Sequence, residues 1–152
     1  MKTNRRTLLA VAAALLSAPA WAARGPRVEV WKSPSCGCCK DWVAHMREAG
    51  FEVVVHETGN TAVRARLGIA QRYGSCHTAL VQGYAIEGHV PAQDVERLLR
   101  LRPKALGLAV PGMPIGSPGM DGPEYGGRRD PYDVLLLRAD AAPVVFRAVR
   151  PA

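Results

Sequence analysis

The chain has 152 residues, 48% of them hydrophobic, with 20 Lys and Arg against 13 Asp and Glu and a formal net charge of +7; that length suits one hydrophobic core. The basic residues are scattered, as in Arg64/Arg66, Arg97/Arg100/Arg102 and Arg128/Arg129, which fits solvated faces and argues against a nucleic-acid footprint. Hydrolytic and nucleotide chemistry are unsupported, because the sequence holds no nucleophile elbow, phosphate loop or H-E-x-x-H zinc pattern.

Residues 1–22 read as an export signal. Lys2, Arg5 and Arg6 precede an uncharged apolar run from Thr7 to Ala18, and Ala20-Trp21-Ala22 supplies a small-residue cleavage site. The run is shorter than the roughly 20 residues a membrane span needs. Asn4-Arg5-Arg6-Thr7-Leu8-Leu9 also loosely matches a twin-arginine signal. Cleavage after Ala22 removes three positive charges, leaving +4 on 130 residues, 23–152, expected to form a single domain without a membrane anchor.

Arg27 to Trp31 alternates polar and apolar residues, which predicts a strand running into Ser33-Pro34-Ser35-Cys36-Gly37-Cys38-Cys39-Lys40. From Cys39, apolar residues recur at Trp42, Val43 and Met46, the spacing of an amphipathic helix that Gly50 closes. Phe51 to His56 predicts a second strand. A short helical segment is expected between Asn60 and Arg72, carrying Val63, Leu67 and Ala70. Thr78–Val81 and Tyr84–Ile86, joined by Gln82-Gly83, predict a hairpin, and Pro91 opens a helix to Arg102 with Val95, Leu98 and Leu99 inward and Pro103 as its stop. The order β-α-β, helical segment, β-β, α is the thioredoxin-like arrangement, which sets a redox or metal motif where the first strand turns into the first helix. Residues 107–131, rich in Gly and Pro, read as a long functional loop, followed by a closing hairpin of Tyr132–Leu137 and Val144–Val149. The expected fold class is therefore α/β, thioredoxin-like, with a C-terminal Gly/Pro/Met loop and a β-hairpin extension.

Three chemistries compete for the cysteines. Structural disulfides are the ordinary use of four cysteines in an exported protein. Here Cys36, Cys38 and Cys39 crowd into four residues with neighbouring Cα atoms about 3.8 Å apart, so pairs inside the triplet are expected to close tiny strained rings, and only one of the three is expected to bridge well to Cys76. Thiol–disulfide exchange uses the C-x-x-C that Cys36 and Cys39 provide, at a helix N-terminus whose dipole favours thiolates, but it has no use for Cys38 or Cys76. Metal binding makes the crowding an asset. Four thiolates carry a formal charge of −4, which a single monovalent cation leaves largely uncompensated and several sulfur-bridged cations neutralise. Soft thiolates select Cu(I), zinc or iron–sulfur clusters, and C-x-C-C is not the usual zinc pairing, so copper fits best.

Pro111-Gly112-Met113 recurs as Pro118-Gly119-Met120, so the long loop offers two thioethers as further soft donors, or as plugs of apolar gaps. Strand alternation is expected to point Cys76 and His77 apart, leaving His77 either to orient the loop or to ligate. His89, just before a helix start, is a metal candidate or a structural imidazole. His45 is expected at the surface, His56 receives no role, and Trp42 is expected to pack beneath the site.

Four stretches together, Ser33 to Trp42 (SPSCGCCKDW), Ser75 to Ala79 (SCHTA), Glu87 to Pro91 (EGHVP) and Gly107 to Met120 (GLAVPGMPIGSPGM), closely resemble the small exported metal-binding proteins of the CopG type. Those proteins are long catalogued as a domain of unknown function and associated with bacterial copper resistance. The resemblance implies a thioredoxin-like fold in the periplasm holding a cysteine-bridged, multinuclear copper cluster on Cys36, Cys38, Cys39 and Cys76. It further implies a part in copper detoxification or Cu(I)/Cu(II) interconversion, with copper ions and other periplasmic copper-handling proteins as partners. Thioredoxins proper place a cis-proline opposite the thiols; this chain has His77-Thr78 after Cys76.

Overall fold

The computed structural model describes residues 25–151, so the expected export signal lies outside the described residues. β1 (Arg27–Lys32) turns into α1 (Gly37–Glu48), followed by β2 (Glu52–His56), α2 (Thr61–Arg66), a 3₁₀ turn at Gln71–Tyr73, and the hairpin β3 (His77–Val81) and β4 (Tyr84–Glu87). Next come α3 (Ala92–Leu101), β5 (Gly107–Ala109), a 3₁₀ turn at Pro123–Tyr125, and the closing hairpin β6 (Tyr132–Leu137) and β7 (Val144–Val149). All seven strands join one mixed sheet in the order β2-β1-β3-β4-β5-β6-β7. β1 is parallel to β2 and β4 to β5; the remaining neighbours are antiparallel. Among the described residues no helix is long and apolar enough to cross a membrane.

The alternation in β1 sends Val28, Val30 and Lys32 inward. They meet the stripe of α1 that the sequence predicts, Cys39, Trp42, Val43 and Met46. Ala79, Val81, Ile86, Val95, Leu98, Leu108 and Val134 belong to the same main core, which α1 and α3 share with the sheet. Residues of opposite parity on the same strands, Ala85, Ala109 and Leu137, pack with Ile69 into a second cluster on the other face. The C-terminal hairpin is fastened to the first part of the chain by Arg147 on β7, whose guanidinium grips both carboxylate oxygens of the buried Asp94 on α3 at 2.5–2.9 Å.

Several expectations shift in detail. The first helix begins at Gly37, two residues earlier than its apolar periodicity indicates, so Cys38 and Cys39 lie within its first turn and Cys36 is its N-cap. Helical structure between Asn60 and Arg72 splits into α2 and the 3₁₀ turn. Leu99, expected inward, is only partly buried against the core. The Gly/Pro loop starts later than expected because residues 107–109 form β5 in the sheet interior. A Cβ on Gly107 would lie 1.7 Å from the Ala85 carbonyl oxygen, so only glycine lets β5 approach β4.

Candidate metal centre

β1 ends at the buried Lys32, and the chain turns so that the Cys36 amide donates to the Ser33 carbonyl at 3.1 Å before α1 begins. The helix turns Cys39 fully inward and leaves Cys36 and Cys38 partly exposed. Cys76 arrives from the opposite side, on the residue preceding β3. Cys38 Sγ stands 3.6 Å from Cys36 Sγ and 3.8 Å from Cys76 Sγ, and Cys39 Sγ lies 3.6 Å from the Cys76 carbonyl oxygen. The four sulfurs all lie within 4.8 Å of one another.

Cys36 and Cys39 are joined in a disulfide, while Cys38 and Cys76 are free. This corrects the expectation that any pair inside the triplet closes a tiny strained ring. Counting along the chain misjudges the ring, because the first helical turn brings residues three apart to one face; the two Cα atoms are 5.4 Å apart, within the ordinary disulfide range.

Two histidines converge on Cys76. His89 Nε2 is 3.0 Å from Cys76 Sγ, and His89 Nδ1 is 2.8 Å from the Pro118 carbonyl oxygen. A carbonyl oxygen only accepts, so Nδ1 carries the hydrogen, and in the neutral ring the Nε2 lone pair faces the sulfur. His77 Nδ1 is 3.4 Å from the same sulfur, contrary to the expected divergence. Strand alternation does not govern this pair, since Cys76 lies outside β3 and His77 is its first residue. The His77 ring is fully buried, 4.4 Å from the Trp42 ring and 5.0 Å from that of His89. Its Nε2 has no hydrogen-bond partner among the described residues. Cys76, His77 and His89 thus form a second donor group that shares Cys76 with the sulfurs.

The charges in this corner are costly without a cation. Burial, reinforced by the neighbouring Cys38, pushes the Cys76 thiol up to about 12. Burial likewise holds His77 well below its ordinary value of 6.5, with the neighbouring His89 adding to the effect, and holds His89 below 6.5 against the raising effect of its bond to Pro118. Burial thus favours neutral imidazoles, whose lone pairs can ligate a metal, and leaves Cys76 to give up its proton only where a cation compensates the charge.

The loop methionines part company. Met120 is buried, its sulfur accepting the Tyr125 hydroxyl at 3.4 Å. Its neighbour Gly119 lies against α1 so closely, at φ +82°, that a Cβ would fall 2.6 Å from the Cys38 carbonyl oxygen. Met113 is 51% exposed. Gly112, just before it, is tied to the Cys76 loop, its amide donating to the Gly74 carbonyl at 3.1 Å and its carbonyl accepting the Ser75 hydroxyl. His45, expected at the surface, is half-buried: its Nε2 accepts the Ala92 amide at 3.0 Å, capping α3 from α1. His56 stacks on Trp31, its register partner on β1, and sits 3.2 Å from Glu29.

A family model described as "Protein of unknown function, DUF411" matches residues 73–120. That segment holds Cys76, His77, His89, Met113 and Met120 but not the cysteine triplet. Among curated proteins nothing matches. Two solved structures do, Copper resistance protein copG in its Form 1 and Form 2, each 42% identical to this chain, with TM-scores of 0.75 and 0.77. The matches cover 82% and 83% of this chain and 98% and 99% of theirs. The chain belongs to the CopG family of copper resistance proteins.

For this CopG-family chain the neutral histidines set a pH dependence. In the unfolded chain His77 and His89 take up protons near 6.5, whereas the fold keeps them neutral below that value. The unfolded state therefore binds more protons in this window, and stability falls with decreasing pH, by at most about 1.4 kcal/mol per pH unit for each histidine that stays neutral in the fold. Glu87 acts in the opposite sense: burial raises its carboxyl above 4.5, so the fold takes up that proton first and regains some stability at lower pH. The urea midpoint of metal-free protein is expected to drop between pH 6.5 and 5.5. A flat profile there would show that the buried imidazoles do not titrate on unfolding.

Proposed function

We propose that this chain is a periplasmic copper-binding protein that contributes to copper resistance by holding a cysteine-bridged, multinuclear copper cluster. Cys36, Cys38, Cys39 and Cys76 would be the bridging thiolates and Met113 and Met120 the loop thioethers; His89, through its Nε2 lone pair, joins the candidates the sequence left open. The observation that carries this reading is the convergence of four sulfurs within 4.8 Å from two distant segments. Burial that makes a bare Cys76 thiolate unfavourable supports cations as the stabilising partner. Copper is soft enough for thiolate, thioether and neutral imidazole alike. We further infer that the β1-α1-β2 unit and the β3-β4 hairpin followed by α3 form a thioredoxin-like core within one domain of residues 23–152, exported by the 1–22 signal.

Cys36 and Cys39 become bridging thiolates only when their disulfide is reduced, and the electrons for that step could come from copper itself. Two Cu(I) ions donating one electron each would break the Cys36–Cys39 bond, releasing two thiolates and two Cu(II), and the reverse step would restore Cu(I). That balance supports Cu(I)/Cu(II) interconversion. A second reading, thiol–disulfide exchange on exported proteins, is favoured by the same C-x-x-C disulfide in the first turn of α1. Against it stands free Cys38 wedged between that pair and Cys76, where it would scramble the exchange. A third role, Cu(I) delivery to other copper-handling proteins, finds support in the solvent-exposed thioether of Met113.

The deciding measurement is metal content. Mature protein, reduced and loaded with Cu(I) without oxygen, is expected to retain more than one copper per chain after desalting; one or none would defeat the cluster.

A further inference from the structure

Cys76 sits on a loop that one main-chain bond, from the Gly112 amide to the Gly74 carbonyl, ties at its start, while a buried ion pair holds the backbone of Ser75 just before the thiol. Glu87, at the end of β4 and fully buried, accepts the Arg64 Nε–H at 2.8 Å and the Ser75 backbone N–H at 2.6 Å on one carboxylate oxygen. The other oxygen accepts the Thr78 hydroxyl at 2.5 Å. Arg64, itself buried on α2, donates in turn to the Ser75 carbonyl at 2.5 Å, and Asn60 Nδ2 donates to that carbonyl and to the Thr78 hydroxyl oxygen, each at 3.2 Å. Both backbone groups of the residue preceding Cys76, and the side chain two residues after it, therefore terminate on this one cluster.

A buried ion pair is a poor source of stability, because desolvation offsets most of its attraction and an apolar pair of similar volume often serves as well. Charge-assisted bonds are shorter and more directional, and they fix geometry. What they fix here is the thiol that faces Cys38 at 3.8 Å and His89 at 3.0 Å. We propose that Glu87, with Arg64, is a positioning residue for copper, holding Cys76 where it closes the sulfur set. The pair lies outside both donor groups and touches no metal in this scheme, and the inference rests on the copper reading given above.

The test compares wild-type protein with Glu87→Gln and with the double variant Arg64→Met/Glu87→Met. Gln is neutral and turns one acceptor oxygen into a donor, weakening the hold on Ser75 and Thr78 at little change in volume; the double variant removes both charges and leaves an apolar fill. Each reduced variant is titrated with Cu(I) against a competing Cu(I) chelator, the thiolate-to-copper absorption is recorded, and the rate of Cys76 alkylation by iodoacetamide is followed in metal-free protein by mass spectrometry. Copper affinity is expected to fall about tenfold in Glu87→Gln and further in the double variant, as it does on loss of outer partners elsewhere. The absorption bands are expected to shift and Cys76 to alkylate several-fold faster, with the unfolding midpoint of the double variant close to wild type.

Affinity within twofold and unchanged alkylation in the folded variants would overturn the proposal. If only the double variant fails to fold, Glu87→Gln decides by the same criteria; if neither folds, the pair belongs to the fold and the proposal also fails. Wild-type protein that takes up no copper defeats the copper reading alone, because the alkylation arm still reports where the Glu87–Arg64 pair holds Cys76.

Discussion

Cys38→Ser is expected to lower the copper content to one ion per chain or none. Cys38 is the sulfur common to both sides of the centre, 3.6 Å from Cys36 Sγ and 3.8 Å from Cys76 Sγ. A serine hydroxyl there is a hard, neutral donor that does not bridge soft cations. The sulfurs that remain on α1 are then the pair already able to form a disulfide with each other. Dithiol exchange by Cys36 and Cys39 is expected to survive the change, whereas Cys36→Ser or Cys39→Ser would abolish it. Metal analysis and a dithiol reductase assay on one preparation separate the two chemistries. Unchanged copper content in Cys38→Ser, with reductase activity present, would move the assignment to the oxidoreductase.

Trp42→Ala is expected to destabilise the fold by about 3–5 kcal/mol, the usual result of deleting a buried large aromatic. Trp42 has no exposed surface, and its indole N–H donates to the Val90 carbonyl at 2.9 Å. Its ring lies 4.4 Å from that of His77, so the substitution opens a void beneath the imidazole next to Cys76. Small domains are held by only about 5–15 kcal/mol, so a loss of this size consumes a large part of the total. Trp42→Phe keeps most of the volume and strands the Val90 carbonyl, for a smaller loss of about 1–3 kcal/mol. Urea unfolding of the three proteins measures both; a loss under about 1 kcal/mol in Trp42→Ala would mean that the core closes over the gap without cost.

Where side-chain periodicity decides the structure, the sequence was a good guide. Val28 and Val30 on β1, the Trp42, Val43 and Met46 stripe on α1, and the turn at Gln82-Gly83, where both residues adopt positive φ, stand where pattern and turn chemistry put them. β5 was illegible because three residues are too few for a period and its glycine is explained only by the Ala85 backbone beside it. The meeting of Cys36, Cys38 and Cys39 with Cys76 could be anticipated from their chemistry, and the C-x-x-C spacing offered Cys36 and Cys39 as a redox pair, but that their bond closes without a cramped ring depends on the helix starting at Gly37.

Buried charge was the harder part. Arg64, expected with Arg66 on a solvated face, is instead buried, because the fold brings it across 23 positions of separation to a 2.8 Å contact with the buried Glu87. Lys32 did carry a signal, its inward parity with Val28 and Val30, and its ammonium is satisfied by the Ser33 carbonyl at 2.8 Å and Glu57 at 3.1 Å. The tautomer of His89 is set by the Pro118 carbonyl, which comes from a loop 29 residues away.

The donors that meet at Cys38 and Cys76 are 38 residues apart along the chain. An ion gripped by both acts as a reversible staple, cinching shut a loop that the unfolded polypeptide leaves slack, so the strength of the grip and the integrity of the fold are two sides of a single equilibrium. Peptides cut from either end of that loop would own thiols yet lack the clasp.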